Sequence, residues 1–163
     1  DPNGPVEVLL SERSKDRIDT KIRELTPRTW GHSLRECIRR INVYTRGWIG
    51  FFGICTEASE RTFAGLDAHI RRRLRAIQLK HWKCKRTIAQ RLIQLGVACK
   101  TAWRRVYQGR KSLWVLSHDS AVHRGLRNAY FADRGLVSLA EEWRKRAQHI
   151  AAPTQGELWP ASG

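Results

Sequence analysis

The stretch Phe63-Ala-Gly-Leu-Asp-Ala-His-Ile-Arg-Arg-Arg-Leu-Arg-Ala-Ile77 decides how the chain folds. At about 100° per residue, Phe63, Leu66, Leu74 and Ile77 fall within about 40° of Ile70 on one side of a helix. Arg61, Arg72, Arg75 and Lys83 fall on the opposite side, with Arg71 on the flank. The period predicts a helix over 60–83 with one face for packing and the other for cations. A solvated helix intersperses acids among its cations to gain i,i+4 pairs. Here Asp67 is the one acid within four residues of the run Arg71–Arg75, and it is expected to pair with Arg71. The remaining guanidiniums point to phosphate as their partner.

The charge of the whole chain follows the same segment. Of a formal +16 over 163 residues, positions 28–110 hold nineteen Lys or Arg against four Asp or Glu, a local +15. Residues 1–27 sum to −1 and residues 111–163 to +2. Positive charge clustered in this way opposes compaction unless a polyanion is near. It is also the footprint of a protein that displaces counterions from a phosphate backbone. With 41% apolar and 28% charged residues, the chain builds a thin core for one domain or two small ones.

Other classes are disfavoured. No stretch reaches the roughly 18 continuous apolar residues of a membrane span, and Asp1-Pro2-Asn3-Gly4-Pro5 is not a signal peptide. The absence of Met leads to the expectation of a piece of something longer. Cys37, Cys55, Cys84 and Cys99 form no Cys-x-x-Cys pair, against a zinc ribbon. Reduced thiols and a cytoplasmic location are expected. His81 and Cys84, at i,i+3, lack two further ligands at metal spacing and read as incidental.

Outward from the central helix, the expected fold is all-α: a helical bundle followed by short helices, with at most one short strand, at Val6–Leu10. A helix from Ser11 or Glu12 to about Glu24 buries Ile18, Ile22 and Leu25 and closes before Pro27. Ser33 is an N-cap with Glu36 three residues later, the capping-box pattern. Leu34, Cys37, Ile38, Ile41, Trp48, Ile49 and Phe52 then make an apolar stripe. Gly47, Gly50 and Gly53 form either a smooth row for a close neighbour or a frayed helix end. Helices over 86–95 and 98–108 end at Gly96 and Gly109. They carry Arg91, Lys100, Arg104 and Arg105, with Trp82 and Trp103 as core residues or base platforms. Leu113-Trp-Val-Leu116 reads as an extended run, Ser117–Ser120 as a cap for a helix through Leu126, and Ser138 as the cap of a last helix over 139–150. A disordered tail over 153–163 is expected.

Lys21-Ile-Arg-Glu-Leu-Thr-Pro-Arg-Thr-Trp-Gly31 and Cys37-Ile-Arg-Arg-Ile-Asn-Val-Tyr-Thr-Arg-Gly-Trp-Ile-Gly-Phe-Phe52 resemble bacterial group II intron reverse transcriptase/maturases. So do Leu66–Arg75, Trp82-Lys-Cys-Lys-Arg-Thr87, Asn128-Ala-Tyr-Phe131 and Gly135-Leu-Val-Ser-Leu139. The likeness covers roughly residues 11–140. It implies that residues 1–27 end a palm or connector and that 28–110 form the maturase-specific thumb, or X domain, with three helices over 33–95. Residues 111–152 would then be a small helical DNA-binding-like region. The implied partners are structured intron RNA, the RNA/DNA template–primer, DNA, and the rest of the reverse transcriptase. The candidate RNA-binding residues are Arg39, Arg46, Arg71, Arg72, Arg75, Lys83, Lys85, Arg86, Arg104 and Arg105.

The chain departs from the family pattern in what it lacks. The family's polymerase centre uses a Tyr-Ala-Asp-Asp turn and an earlier Asp to hold two metals, and no Asp-Asp pair occurs here. No cofactor is expected in this chain, Mg belonging to the missing palm, and no polymerase activity is expected of it alone. Cys84 stands where a basic residue is expected. Two other readings remain. A catalytic module would draw on Asp67 with His69, or on Asp119 with His118 and His123. A stand-alone basic DNA-binding module would use the short helices around Gly96 as a helix-turn-helix.

Overall fold

The structure, a computed structural model, describes residues 9–53, 55, 59–109 and 111–151. Nine helices and no strand occur among the described residues, so the chain is all-α as its periodicity predicts. They are α1 (Glu12–Leu25), α2 (Leu34–Phe52), α3 (Glu60–His81), α4 (Lys85–Gln94), α5 (Cys99–Tyr107), α6 (Leu113–Leu116), α7 (Ser120–Gly125), α8 (Asn128–Ala132) and α9 (Leu139–Ala151). Val6–Val8 of the expected strand and the expected tail lie outside the described residues. Leu9 and Leu10 are irregular. Among the described residues no helix is long and apolar enough to cross a membrane.

Side chains that the sequence offers as caps start the long helices. Ser11 accepts from the Ser14 amide and Ser33 from the Glu36 amide, each satisfying one of the free N–H groups of a first turn. Gly96 ends α4 at φ +93°, in the left-handed region that suits glycine. Leu113–Leu116 was expected to be extended and is instead one helical turn. Ser112 caps its amides and the Ser117 hydroxyl donates to the Trp114 carbonyl (2.6 Å), so local hydroxyls outweigh the β preference of the apolar run.

The core is built around α3. Phe63, Ile70 and Leu74 are buried, and each such side chain contributes about 1.5–3 kcal/mol by leaving water. Helix α9 lies along α3 and reaches α2. Trp143 sits 6.0 Å from the Phe63 ring and donates its indole N–H to the Cys55 carbonyl at 2.9 Å. The side chain of Asn42 bonds both the Gly135 carbonyl and the Val137 amide. Packing therefore runs across residue 110, and residues 111–151 brace the helices that precede them.

The glycine row of α2 resolves into two parts. A Cβ at Gly53 would stand 2.8 Å from the Ile49 carbonyl oxygen of the preceding turn and 3.0 Å from Arg146 Cδ of α9, so space is tight there. At Gly47 and Gly50 a Cβ would meet nothing within 4 Å, and α2 runs unbroken through both.

Candidate nucleic-acid interface

The cationic side of α3 is divided among three tasks. Arg75 was expected to face solvent, opposite the apolar stripe, but is only 5% exposed. Its Nε donates to the Leu126 carbonyl (3.0 Å), and its guanidinium lies 5.8 Å from the Phe131 ring. The helical period gives an angle but not the second layer, α7 and α8, that covers it. Burial, with Arg71 adding to it, lowers the Arg75 guanidinium to about 10, which leaves it charged at neutral pH. Arg73 donates to both the hydroxyl and the carbonyl of Thr26 at the end of α1. Burial lowers its pKa, and Arg23 and Arg28 lower it further. Lys80 donates to the Arg28 carbonyl at 2.8 Å.

A second group gathers on one indole. The guanidiniums of Arg72, Arg28 and Arg73 lie 5.3, 5.6 and 5.8 Å from the Trp114 ring. Such contacts stabilise by about 0.5–2 kcal/mol and cancel no charge. Arg71 and Arg72 have no carboxylate partner among the described residues.

The expected Asp67–Arg71 pair is replaced by another arrangement. Asp67 is buried and accepts from the Ser138 hydroxyl (2.6 Å) and from the Leu139 and Ala140 amides (2.8 and 3.1 Å). It is the cap of α9, where free N–H groups and the positive end of the helix favour a carboxylate. Ser138 caps the same helix by accepting from the Glu141 amide, as the sequence suggests.

Between α3 and the α6–α8 segment these residues bound a concavity of about 640 Å³. Arg71, Arg72 and Arg75 line it together with His69, His118, His123 and Asn128, and none of the described lining residues is acidic. Burial lowers the His123 pKa, and Arg75 and Arg72 add to the effect. Burial also lowers that of His69, with Asp19 opposing, so both rings are held toward the neutral form. The arrangement can bind an anion: three arginines line a hollow none of whose described lining residues is acidic.

The other candidate residues are spread over several helices. Arg39 is bound to Glu36 through two 2.8 Å contacts and Arg40 shares the same carboxylate, which they hold down at about 2. Arg46 is exposed on α2, and Lys83, Arg86 and Arg104 are exposed from the end of α3 to α5. Lys85 donates to the Gly109 carbonyl at 3.4 Å and lies 5.7 Å from the Tyr107 ring. Arg105 is tied to Asp119 and Ser120. Trp103 and Tyr107 stack at 5.7 Å.

The catalytic pairings do not form. Asp119 accepts from the Ala121 amide and from Lys111, both at 3.0 Å, and so caps α7. Asp67 faces α9, while His69 Nε2 stands 3.2 Å from Asp19, outside hydrogen-bonding alignment. His81 stands near the Trp30 carbonyl and Cys84 near Thr87, and no three-residue cluster able to hold a metal occurs among the described residues. All four thiols are free, and burial pushes Cys37 up to about 12. The sequence reading missed Trp114, Arg28 and Arg73 as parts of this surface, and the three histidines as members of one site with the arginines. Nothing in residue spacing joins His118 and His123 to a helix fifty residues earlier.

Residues 15–94 match the family model of the group II intron, maturase-specific domain. The match ends with the last residue of α4 and takes in the whole α3 wall of the concavity. No curated protein matches the chain. Over residues 15–94 the chain is thus similar to the group II intron maturase-specific domain.

Proposed function

We propose that this domain binds the folded RNA of its intron, stabilises that RNA for splicing, and in the intact protein forms the thumb that grips template and primer. The observation that supports the reading is the acid-free hollow lined by Arg71, Arg72 and Arg75, set in a segment of local charge +15. Arginine offers a rigid fork of donors for phosphate oxygens and stays charged when partly buried. Exposed Lys83, Arg86 and Arg104, with Arg46 on α2, extend the basic surface and supply further phosphate contacts.

Filter binding of group II intron RNA at rising salt tests this. Each neutralised phosphate steepens the log–log slope by about 0.7–0.9, so several contacts give a slope of several negative units. A slope near zero overturns the reading.

A second reading rests on α4 and α5, which pack on each other around Gly96 and leave Lys100 and Arg104 exposed. The pair has the order of a helix-turn-helix and would make the chain a DNA-binding module. Tighter binding to duplex DNA than to folded intron RNA at equal salt would favour it.

A further inference from the structure

His118 has a fixed tautomer. Its Nδ1 lies 2.7 Å from the Trp114 carbonyl oxygen, which only accepts, and 3.2 Å from Ser117 Oγ, whose own hydrogen goes to that same carbonyl. Nδ1 therefore carries the proton. Nε2 is left with a lone pair in the neutral ring and becomes a donor only in the imidazolium. Phosphate oxygens also only accept. His118 can hold an anion in the concavity only by gaining a proton.

The surrounding charges act in the same sense. From α3 the hollow is faced by His69, Arg71, Arg72 and Arg75, from the turn before α7 by His118, from α7 by His123, and from α8 by neutral Asn128. Arg127 stands beside Arg75 and His123. Two carboxylates come near: Asp19 of α1 at His69, itself bridged to Arg23 at 2.6 Å, and Asp119, already held by Lys111 and Arg105. Guanidiniums without an anion oppose protonation of the neighbouring rings. An anion seated among them removes that opposition.

We propose that this concavity is a proton-linked phosphate site, which seats one phosphate of the bound RNA on Arg71, Arg72 and Arg75 and takes up protons on its histidines as it does so. The proposal rests on the RNA-binding reading and adds a regulation to it: affinity rises as pH falls through the histidine range. Phosphodiesters and arginines do not titrate there, so arginine contacts alone give no such rise.

Two measurements test the proposal on the whole chain. RNA affinity is measured from pH 8.0 to 6.0 at fixed ionic strength, and a gain of about threefold to tenfold over that range is expected. His118→Gln/His123→Gln, with its fold checked by circular dichroism, is expected to lose most of that gain. Separately, sulfate, a tetrahedral anion whose charge is constant over this range, is titrated while the imidazole 15N resonances of the wild-type protein are followed. Saturable shifts of the His118 and His123 resonances toward the protonated position are expected. A pH-independent RNA affinity, or an acid gain that survives in the double variant, overturns the proposal. If RNA fails to bind at every pH, the functional reading falls, and the sulfate titration alone decides the site: rings that do not respond overturn it. Should the double variant not fold, the wild-type resonances decide in the same way.

Discussion

The two halves of α3 hold the rest of the molecule with opposite charges. In the N-terminal half Asp67 meets the amides that open α9, and Glu60 accepts from Arg144 of that helix at 2.7 Å. In the C-terminal half Arg73, Arg75 and Lys80 meet carbonyls: those of Thr26 at the end of α1, of Leu126 at the end of α7, and of Arg28. Helix starts present free N–H groups and partial positive charge, and helix ends the reverse. The charges of α3 are thus sorted by the polarity of the helices they receive. A carbonyl satisfies a guanidinium's donors without cancelling its charge, so the structural arginines still add to the field in the hollow beside them.

If that sorting is correct, the heaviest loss comes from the acidic half. Asp67→Ala leaves the Ser138 hydroxyl and two buried amides without their acceptor, a cost of about 2–4 kcal/mol. A fall of that size in the urea unfolding free energy is expected, with Asp67→Asn retaining part of it. A loss under about 0.5 kcal/mol, the usual size for a surface site, breaks the comparison at its first half.

Arg75→Ala examines the other half. It strands the Leu126 carbonyl and removes packing against Phe131, for an expected loss of about 1–3 kcal/mol. The substitution should also weaken RNA binding. Arg75→Lys sharpens the result, since it keeps the charge and loses the fork. Stability lost while affinity is largely kept would separate the carbonyl bond from the field.

Arg71→Ala/Arg72→Ala should do the opposite. Alanine favours helix, and what disappears is one cation–π contact to Trp114, about 0.5–1 kcal/mol. The salt slope of RNA binding is expected to flatten by about 0.7–0.9, the share of the one phosphate seated in the hollow. An unchanged slope with a normal circular dichroism spectrum would place the RNA surface elsewhere.

How much of this was legible in sequence follows from what kind of information spacing carries. Ser11, Ser33, Ser138 and Gly96 mark helix ends because a cap acts within one turn of its own chain, and the apolar stripe of α3 located the core for the same reason. Arg75 and Asp67 were misread because a helical period fixes an angle without saying what covers it. Asp67 had a cation four residues away and took instead the start of α9, some seventy residues on. Trp114 lay in an apolar run of four that reads as strand. Only the approach of α6 to α3 and to the loop after α1 brings its ring to three guanidiniums.

The smallest effect sits where the two halves of α3 meet. His69 follows the acidic half and precedes the arginines, with its buried Nε2 near Asp19. Burial lowers its pKa and that of His123 below the ordinary 6.5, the first against Asp19, the second helped by Arg75 and Arg72. A base with a depressed folded pKa favours the unfolded chain once that chain begins to protonate. Stability is therefore full above about pH 6.5 and declines as pH falls toward the depressed values. Because both rings are partly open to solvent, the expected loss between pH 7.5 and 5.5 is a few tenths of a kcal/mol. It is to be read as a lower urea midpoint at the acid end, and His69→Gln/His123→Gln should level the two midpoints. Saturating sulfate should also narrow the gap in the wild-type protein, since an anion in the hollow offsets the cost of protonating the rings. A midpoint that rises with acid would mean that Asp19 outweighs the arginines at His69, and the division of α3 into an acidic and a basic half would have to be redrawn one turn further along.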